Sequence, residues 1–347
     1  VIDYSKAEVQ VPKMSPGWKD CAGCFKGSET SNDCHPLFDH ILNNLRKDNV
    51  MSCIDGCTWR SEVHRVQLQN QSKALVVKKV QNESGNAVDP CLHDHCQSEV
   101  NLLDSICHDN IISLADYIRR DNFILLIYDH EENGSLYHWL HNPVPPQPAA
   151  EGVVLEWPTR RGIAIRVADG LCHLHYGRKN PVVHHNINST NILLDADLNP
   201  KIAGFDLARV VSFAGQPVPI SELAASNMFG YTAPEYLTTG ATVKVDSYSY
   251  GVVLLELATG RVASRPLVTN EAIADGHLGI WAGIHSKDLV RNAGDFSTVV
   301  DMAIPDQARY LKEMVAMFKL GVDCTVEQPQ ERPDMNEVLH RLRNLGR

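Results

Sequence analysis

The chain has 347 residues, 44% of them hydrophobic, and a formal net charge of −10. That is enough apolar material for one large core or two lobes, and the acidic balance argues against non-specific binding to nucleic acid or to an anionic membrane. There is no run of 18 apolar residues and no signal-peptide layout, so the sequence reads as soluble as given, or as one piece of a longer membrane protein.

Residues 1–36 are mixed and polar with no clean period, and read as a flexible lead-in. Cys21-Ala-Gly-Cys24 followed by Cys34-His35 has the ligands of a zinc knuckle but lacks a second matched pair, so free thiols in a loop are expected and no metal. Leu37, Ile41, Leu42 and Leu45 keep a helical period. Strands follow: Val63, Val66 and Leu68 alternate, and Ala74–Val80 is a continuous buried-strand run. A helix is predicted over 93–105, with Val100, Leu102, Leu103 and Ile106 on its apolar side, then strands over 111–118 and 123–129. Asn133-Gly134 marks a turn, and Pro143–Pro148 is a stiff surface excursion before a helix over 158–176. Further helices are predicted over 244–261, 271–285, 307–325 and 333–345; Asp334 could cap the last of them, or Pro333 could be its first residue. Cys172 and Cys324, two of ten cysteines, lie in apolar helical stretches and suit reduced, buried thiols of a cytosolic compartment. The pattern is α+β: a strand-rich part over 37–131, a helix-rich part over 132–347, and a hinge near 129–131.

Between Val182 and Leu194 two short apolar runs flank a polar loop, with His184 and Asn191 seven apart. Around it stand Leu155-Glu-Trp-Pro-Thr-Arg160, Gly230-Tyr-Thr-Ala-Pro-Glu235, Val245-Asp-Ser-Tyr-Ser-Tyr-Gly-Val-Val-Leu-Leu-Glu-Leu257 and Glu331-Arg-Pro-Asp-Met335. From about residue 50 to its end the chain resembles a plant receptor-like protein kinase of the leucine-rich-repeat class, and within it the Pangloss-type receptor pseudokinases. The resemblance implies a two-lobed kinase fold: a small antiparallel N-lobe sheet with one key helix, and a larger helical C-lobe.

Kinase chemistry is positioning and charge neutralisation around a phosphoryl group, and the resemblance lets each part be audited. In the loop, Asn186 stands where the family has its catalytic aspartate and Asn188 where it has a lysine. A carboxamide cannot accept a proton at neutral pH, and a lost acid–base partner typically costs about 10²–10⁴ in rate. His185 replaces the arginine that reads a phosphate on the activation segment, where Ser212, Ser221, Ser226 and Thr232 remain open to other kinases. In Lys201-Ile-Ala-Gly204-Phe205-Asp206, glycine occupies the metal-binding aspartate position; Mg²⁺ needs a hard oxygen ligand, and Gly204 has no side chain. In Gly56-Cys-Thr-Trp-Arg-Ser-Glu-Val63, Thr58 and Ser61 replace two glycines of the phosphate-covering loop. Val76 adds bulk where the family has alanine over the adenine.

Other family positions are filled. Lys78 and Glu99 match the lysine–glutamate pair, which could also be a purely structural brace of helix against sheet, and Asn191 matches the second metal-binding position; the three make up a vestigial nucleotide site. Glu235 and Arg332 match the pair bracing the helical lobe, Asp246 the residue that holds the catalytic-loop backbone, and Leu103, Leu114, His184 and Phe205 a side-chain stack. The reading is a pseudokinase with no catalytic residues, no metal, and ATP binding weak or absent. It implies a scaffold or allosteric partner for an active receptor kinase or signalling adaptor. The missing transmembrane helix would hold it at the cytoplasmic face of the plasma membrane. A weak serine/threonine kinase using Lys78, Asn191 and a displaced Asp206, and a non-catalytic ATP-binding switch, stay open as alternatives.

Overall fold

The computed structural model describes residues 41, 42, 45, 50–55, 59–67, 74–82, 85, 87–141, 154–217, 230–237, 240–264, 277–291 and 295–346. The expectations for 1–36 with its Cys21, Cys24, Cys34 and His35, for Gly56 and Thr58, for Pro143–Pro148, and for Ser221 and Ser226 lie outside them. The fold is α+β, in two compact units: residues up to 107 with 112–130, and residues 108–111 with 131 onward.

The first unit is an antiparallel sheet of β1 (Val50–Asp55), β2 (Trp59–Gln67), β3 (Ala74–Asn82), β4 (Leu114–Arg119) and β5 (Ile124–Asp129), ordered β1-β2-β3-β5-β4. Alternation along the strands sends side chains to two faces. Leu75, Val77, Leu125 and Ile127 join Val66 and Ile41 in one cluster, with Leu42 and Leu45 packed on it. Val80, Ile124 and Leu126 join Leu92, Cys96 and Val100 of helix α1 (Pro90–Asp104) in the other. The period of two puts Lys78 on the α1 face and Lys79 opposite, its ammonium 5.4 Å from the centroid of the Phe123 ring. Helix α1 starts three residues before the predicted boundary. Pro90 is pre-set for a first turn, and Asp89 caps it by accepting the Leu92 N–H at 2.8 Å.

The second unit holds α2 (Leu136–His141), α3 (Trp157–Tyr176), the pairs β6 (Val182–Val183) with β9 (Arg209–Val210) and β7 (Ile192–Leu194) with β8 (Pro200–Ile202), then α4 (Val243–Thr259), α5 (Leu278–Arg291), α6 (Gln307–Cys324) and α7 (Met335–Arg343). Ile111, predicted to begin a strand of the sheet, instead bridges Ile202 in this unit, so β4 starts only at Leu114. Helix α5 runs past the predicted end at 285, since no breaker intervenes before Gly294. Asp334 proves to be the cap of α7, accepting the Glu337 N–H at 2.9 Å, and Pro333 stays outside the helix.

Helix α4 is buried on every side, as its unbroken apolar run requires. Its contact with α6 depends on two missing side chains. A Cβ on Gly251 would lie 2.5 Å from Cys324 Cβ, and one on Gly321 would lie 2.8 Å from Leu255 Cγ. Backbones this close leave α4 no freedom to shift, and α4 carries Asp246, on which the polar loop hangs.

Candidate functional site

In the first unit, Lys78 Nζ donates to Glu99 Oε2 at 3.0 Å, tying β3 to α1. Glu99 is only 4% exposed, and its other oxygen accepts the Tyr128 hydroxyl at 2.8 Å. Both carboxylate oxygens therefore have donors, from two strands. Val76 sits opposite Tyr128 in the register of β3 with β5. Cys96 lies close by, its thiol pushed up to about 12 chiefly by burial, so it stays protonated. The part Tyr128 plays in holding Glu99 was not legible in sequence, because only the register brings them together.

In the second unit, Asp246 is fully buried and organises the loop from below. Its Oδ2 accepts the His184 N–H at 2.8 Å and lies 2.9 Å from His175 Nε2, while Oδ1 accepts the His185 N–H at 2.9 Å. Burial pushes this carboxyl up, but the hydrogen bond and charge of His175, then His184 and His185, hold it below the usual carboxylate range. The twin backbone bonds pin His185 at φ 66°, a left-handed conformation that L side chains resist. His175 is a partner the sequence reading missed; its one available signal is a histidine inside the buried stripe of α3.

His185 is 4% exposed, and its ring meets Tyr236 edge-on at 5.8 Å. Burial drives its imidazole down to about 4; Asp246 opposes this, while Arg209 and His184 add to it. The ring is neutral at physiological pH and offers no cation to a phosphate. His184, also pushed down by burial, packs edge-on against Phe205 at 4.5 Å.

Three asparagines then close a neutral network. Asn188 Nδ2 donates to the Asn186 backbone oxygen at 3.1 Å and to Asn186 Oδ1 at 2.9 Å. Asn188 Oδ1 accepts the Asn191 N–H at 2.9 Å, and Asn191 Nδ2 donates to the Asn186 backbone oxygen at 2.9 Å. Gly204 adopts φ 80° directly against this network: a Cβ there would lie 2.6 Å from Asn191 Nδ2 and 2.7 Å from its Cγ. The Asn191 carboxamide fills the space into which any side chain at 204 would start. Asp206 sits on the 3₁₀ turn Phe205–Leu207, where its charge acts on His184. The residues brought together here do not fit Mg²⁺, which takes carboxylate and water oxygens in near-octahedral geometry.

A second buried cluster stands beside the loop. Ser189 Oγ lies 2.9 Å from the Tyr231 hydroxyl and donates to Glu256 Oε1 at 3.0 Å, and the same oxygen meets His141 Nε2 at 2.9 Å. Burial raises the Glu256 carboxyl. Further along, Arg332 grips Glu235 in a two-pronged pair at 2.6 and 2.7 Å.

Residues 59–342 match the protein kinase domain family. Relatives include MDIS1-interacting receptor like kinase 1 of Arabidopsis thaliana, 34% identical over 87% of this chain and 28% of that protein. Receptor-like kinase TMK2 of the same plant is 32% identical over 94% of this chain and 36% of its own length. A protein named as a probable inactive receptor kinase, again from Arabidopsis thaliana, is 34% identical over 72% of this chain and 40% of that relative. The chain thus spans well under half the length of these curated relatives.

Proposed function

The chain belongs to the protein kinase domain family, with plant receptor-like kinases as relatives, and from that premise we propose that it is a pseudokinase, the intracellular domain of a plant receptor, working as a scaffold or allosteric partner with little or no phosphoryl transfer. The observation that carries this reading is the Asn191 carboxamide lodged where a side chain at Gly204 would begin. The position that supplies a metal-binding aspartate in the family has neither a carboxylate nor room for one while Asn191 keeps its bond to the Asn186 backbone. Asn186 and Asn188 bind each other and add no base and no cation. The inactive status that one relative's name records agrees with this. The narrower assignment, to the leucine-rich-repeat class and its Pangloss-type members at the cytoplasmic face of the plasma membrane, draws on the motifs around Trp157, Tyr231 and Arg332. An active receptor kinase or adaptor is the partner this role calls for. Among the described residues no helix is long and apolar enough to cross a membrane.

The second reading, a switch that binds nucleotide without metal, is favoured by one observation, the closed Lys78–Glu99 pair. Thermal unfolding against ATP, with and without Mg²⁺, separates the two. A ligand at about 100 times its dissociation constant adds roughly 2.7 kcal/mol. No shift up to millimolar ATP supports the scaffold, a shift indifferent to Mg²⁺ supports the switch, and a shift that requires Mg²⁺, with phosphoryl transfer lost in Lys78→Ala, overturns both.

A further inference from the structure

The sheet of the first unit has two apolar faces, and they are covered in different ways. Helix α1 covers one with Leu92, Cys96 and Val100. On the other, every member of the buried cluster belongs to β2, β3, β5 or, in Phe123, the connection into β5, with the exception of Ile41. Ile41 is 1% exposed, and Leu42 and Leu45 pack beside it. The three share one helical turn, in which the Leu45 N–H donates to the Ile41 and Leu42 backbone oxygens at 3.1 and 3.3 Å. All precede residue 59, where the match to the kinase domain begins. Among the described residues, the face of Val66, Leu75, Val77, Leu125 and Ile127 thus owes its cover to side chains from outside that domain.

The covered face also buries a polar group without compensation. His64 stands on it, two residues from Val66 along β2 and opposite Val77 in the register with β3. It is 2% exposed, yet among the described residues neither ring nitrogen has a hydrogen-bond partner. The Glu62 carboxylate comes within 3.3 Å of Nε2 without the alignment of a hydrogen bond. Burying an unbonded polar group costs free energy of the same order as burying one aliphatic side chain gains. Lifting the cover returns that cost, so the hold of Ile41 on the sheet is offset by what the closed face buries.

We propose that the turn Ile41–Leu45 is a displaceable strap: closed in this structure, it occupies a seat on the sheet that, once the strap lifts, binds an amphipathic helical segment of a partner protein. The chemistry of that segment is read from the one already seated, aliphatic side chains at i, i+1 and i+4 of a helical turn, as in Ile41, Leu42 and Leu45. The stretch ahead of the kinase domain thereby controls access to a docking surface. This role goes beyond the pseudokinase reading and involves no phosphoryl transfer.

The test uses the full chain and one probe, a fluorescent peptide of the sequence of residues 36–49. Covalent attachment gives the chain's own segment a local concentration that the free peptide must outcompete, so the wild-type chain should bind the peptide weakly by fluorescence anisotropy. Ile41→Asp, which unseats the attached segment, should bind it at least tenfold more tightly, and a peptide carrying the same substitution should bind neither chain. His64→Leu removes the uncompensated ring and should weaken binding to the otherwise wild-type chain further. Equal affinity of the peptide for the wild-type and Ile41→Asp chains, or no binding to either, overturns the proposal. Should Ile41→Asp fail to fold, Leu45→Ala, a milder change at a half-buried position, takes its place and must bind the peptide more tightly than wild type does. Melting against ATP is read separately, so failure of the strap and failure of the pseudokinase reading are distinguishable.

Discussion

Placing a methyl group on Gly204 tests the central contact. An ideal Cβ at this position lies 2.6 Å from Asn191 Nδ2, closer than packed atoms tolerate, so the Asn191 carboxamide must rotate and give up its 2.9 Å bond to the Asn186 backbone oxygen. A neutral hydrogen bond contributes about 1 kcal/mol, and holding alanine at φ 80° costs about 1 kcal/mol more. Gly204→Ala should therefore destabilise by about 2 kcal/mol. In an Asn191→Ala background the steric part vanishes and only about 1 kcal/mol, the backbone part, remains. The coupling energy is thus about 1 kcal/mol, above the few tenths of a kcal/mol within which independent sites add. Urea unfolding of the four proteins of this cycle measures it. Strict additivity would refute the claim that Asn191 occupies the ground of residue 204. Gly204→Asp adds the functional arm: it should leave melting insensitive to Mg²⁺ unless Asn191 is truncated as well.

Acid should weaken the loop. His184 and His185 are both pushed below the ordinary histidine range by burial, His185 to about 4. A depressed histidine keeps its full stabilisation above the unfolded value of about 6.5 and loses it as pH falls toward the folded value. For His185 alone that span corresponds to about 3 kcal/mol between pH 6.5 and 4, with the raised Glu256 working in the opposite direction. Urea unfolding at pH 7.5 and 5 should show the loss, and His185→Gln should flatten the slope; equal stability at both pH values would rule the argument out. Arg332→Ala strands the buried Glu235 carboxylate and should cost about 3–5 kcal/mol by equilibrium unfolding, a loss under about 1 kcal/mol being incompatible with the pair as described. Asp89→Ala removes the acceptor of the Leu92 N–H and should cost about 1 kcal/mol, visible as faster amide exchange in the first turn of α1; unchanged exchange there would mean the cap is idle.

The fold was legible because its signals are local and periodic. The apolar run of β3 and the unbroken hydrophobic stretch of α4 each dictate a strand or helix from near neighbours alone. Boundaries drifted where a polar side chain competes with the period, as Asp89 does ahead of α1 and Asp334 ahead of α7. Chain order also hid the departure of Ile111 to β8, because that choice depends on a partner about ninety residues away.

The candidate site divides in the same way. By itself the sequence determined which residue types stand in the loop: Asn186, Asn188 and Gly204 have no ionisable groups, and no folding can give them any. Only the tertiary structure decided what those residues do with their neighbours. It turned three asparagines into one closed network, seated Asn191 against Gly204, placed Tyr128 on Glu99, and brought His175 to Asp246 from another helix. The physical reason is range. Charge and ionisability belong to a residue, whereas a hydrogen bond of 2.9 Å or a contact of 2.6 Å exists only once packing has brought distant stretches of chain to one place.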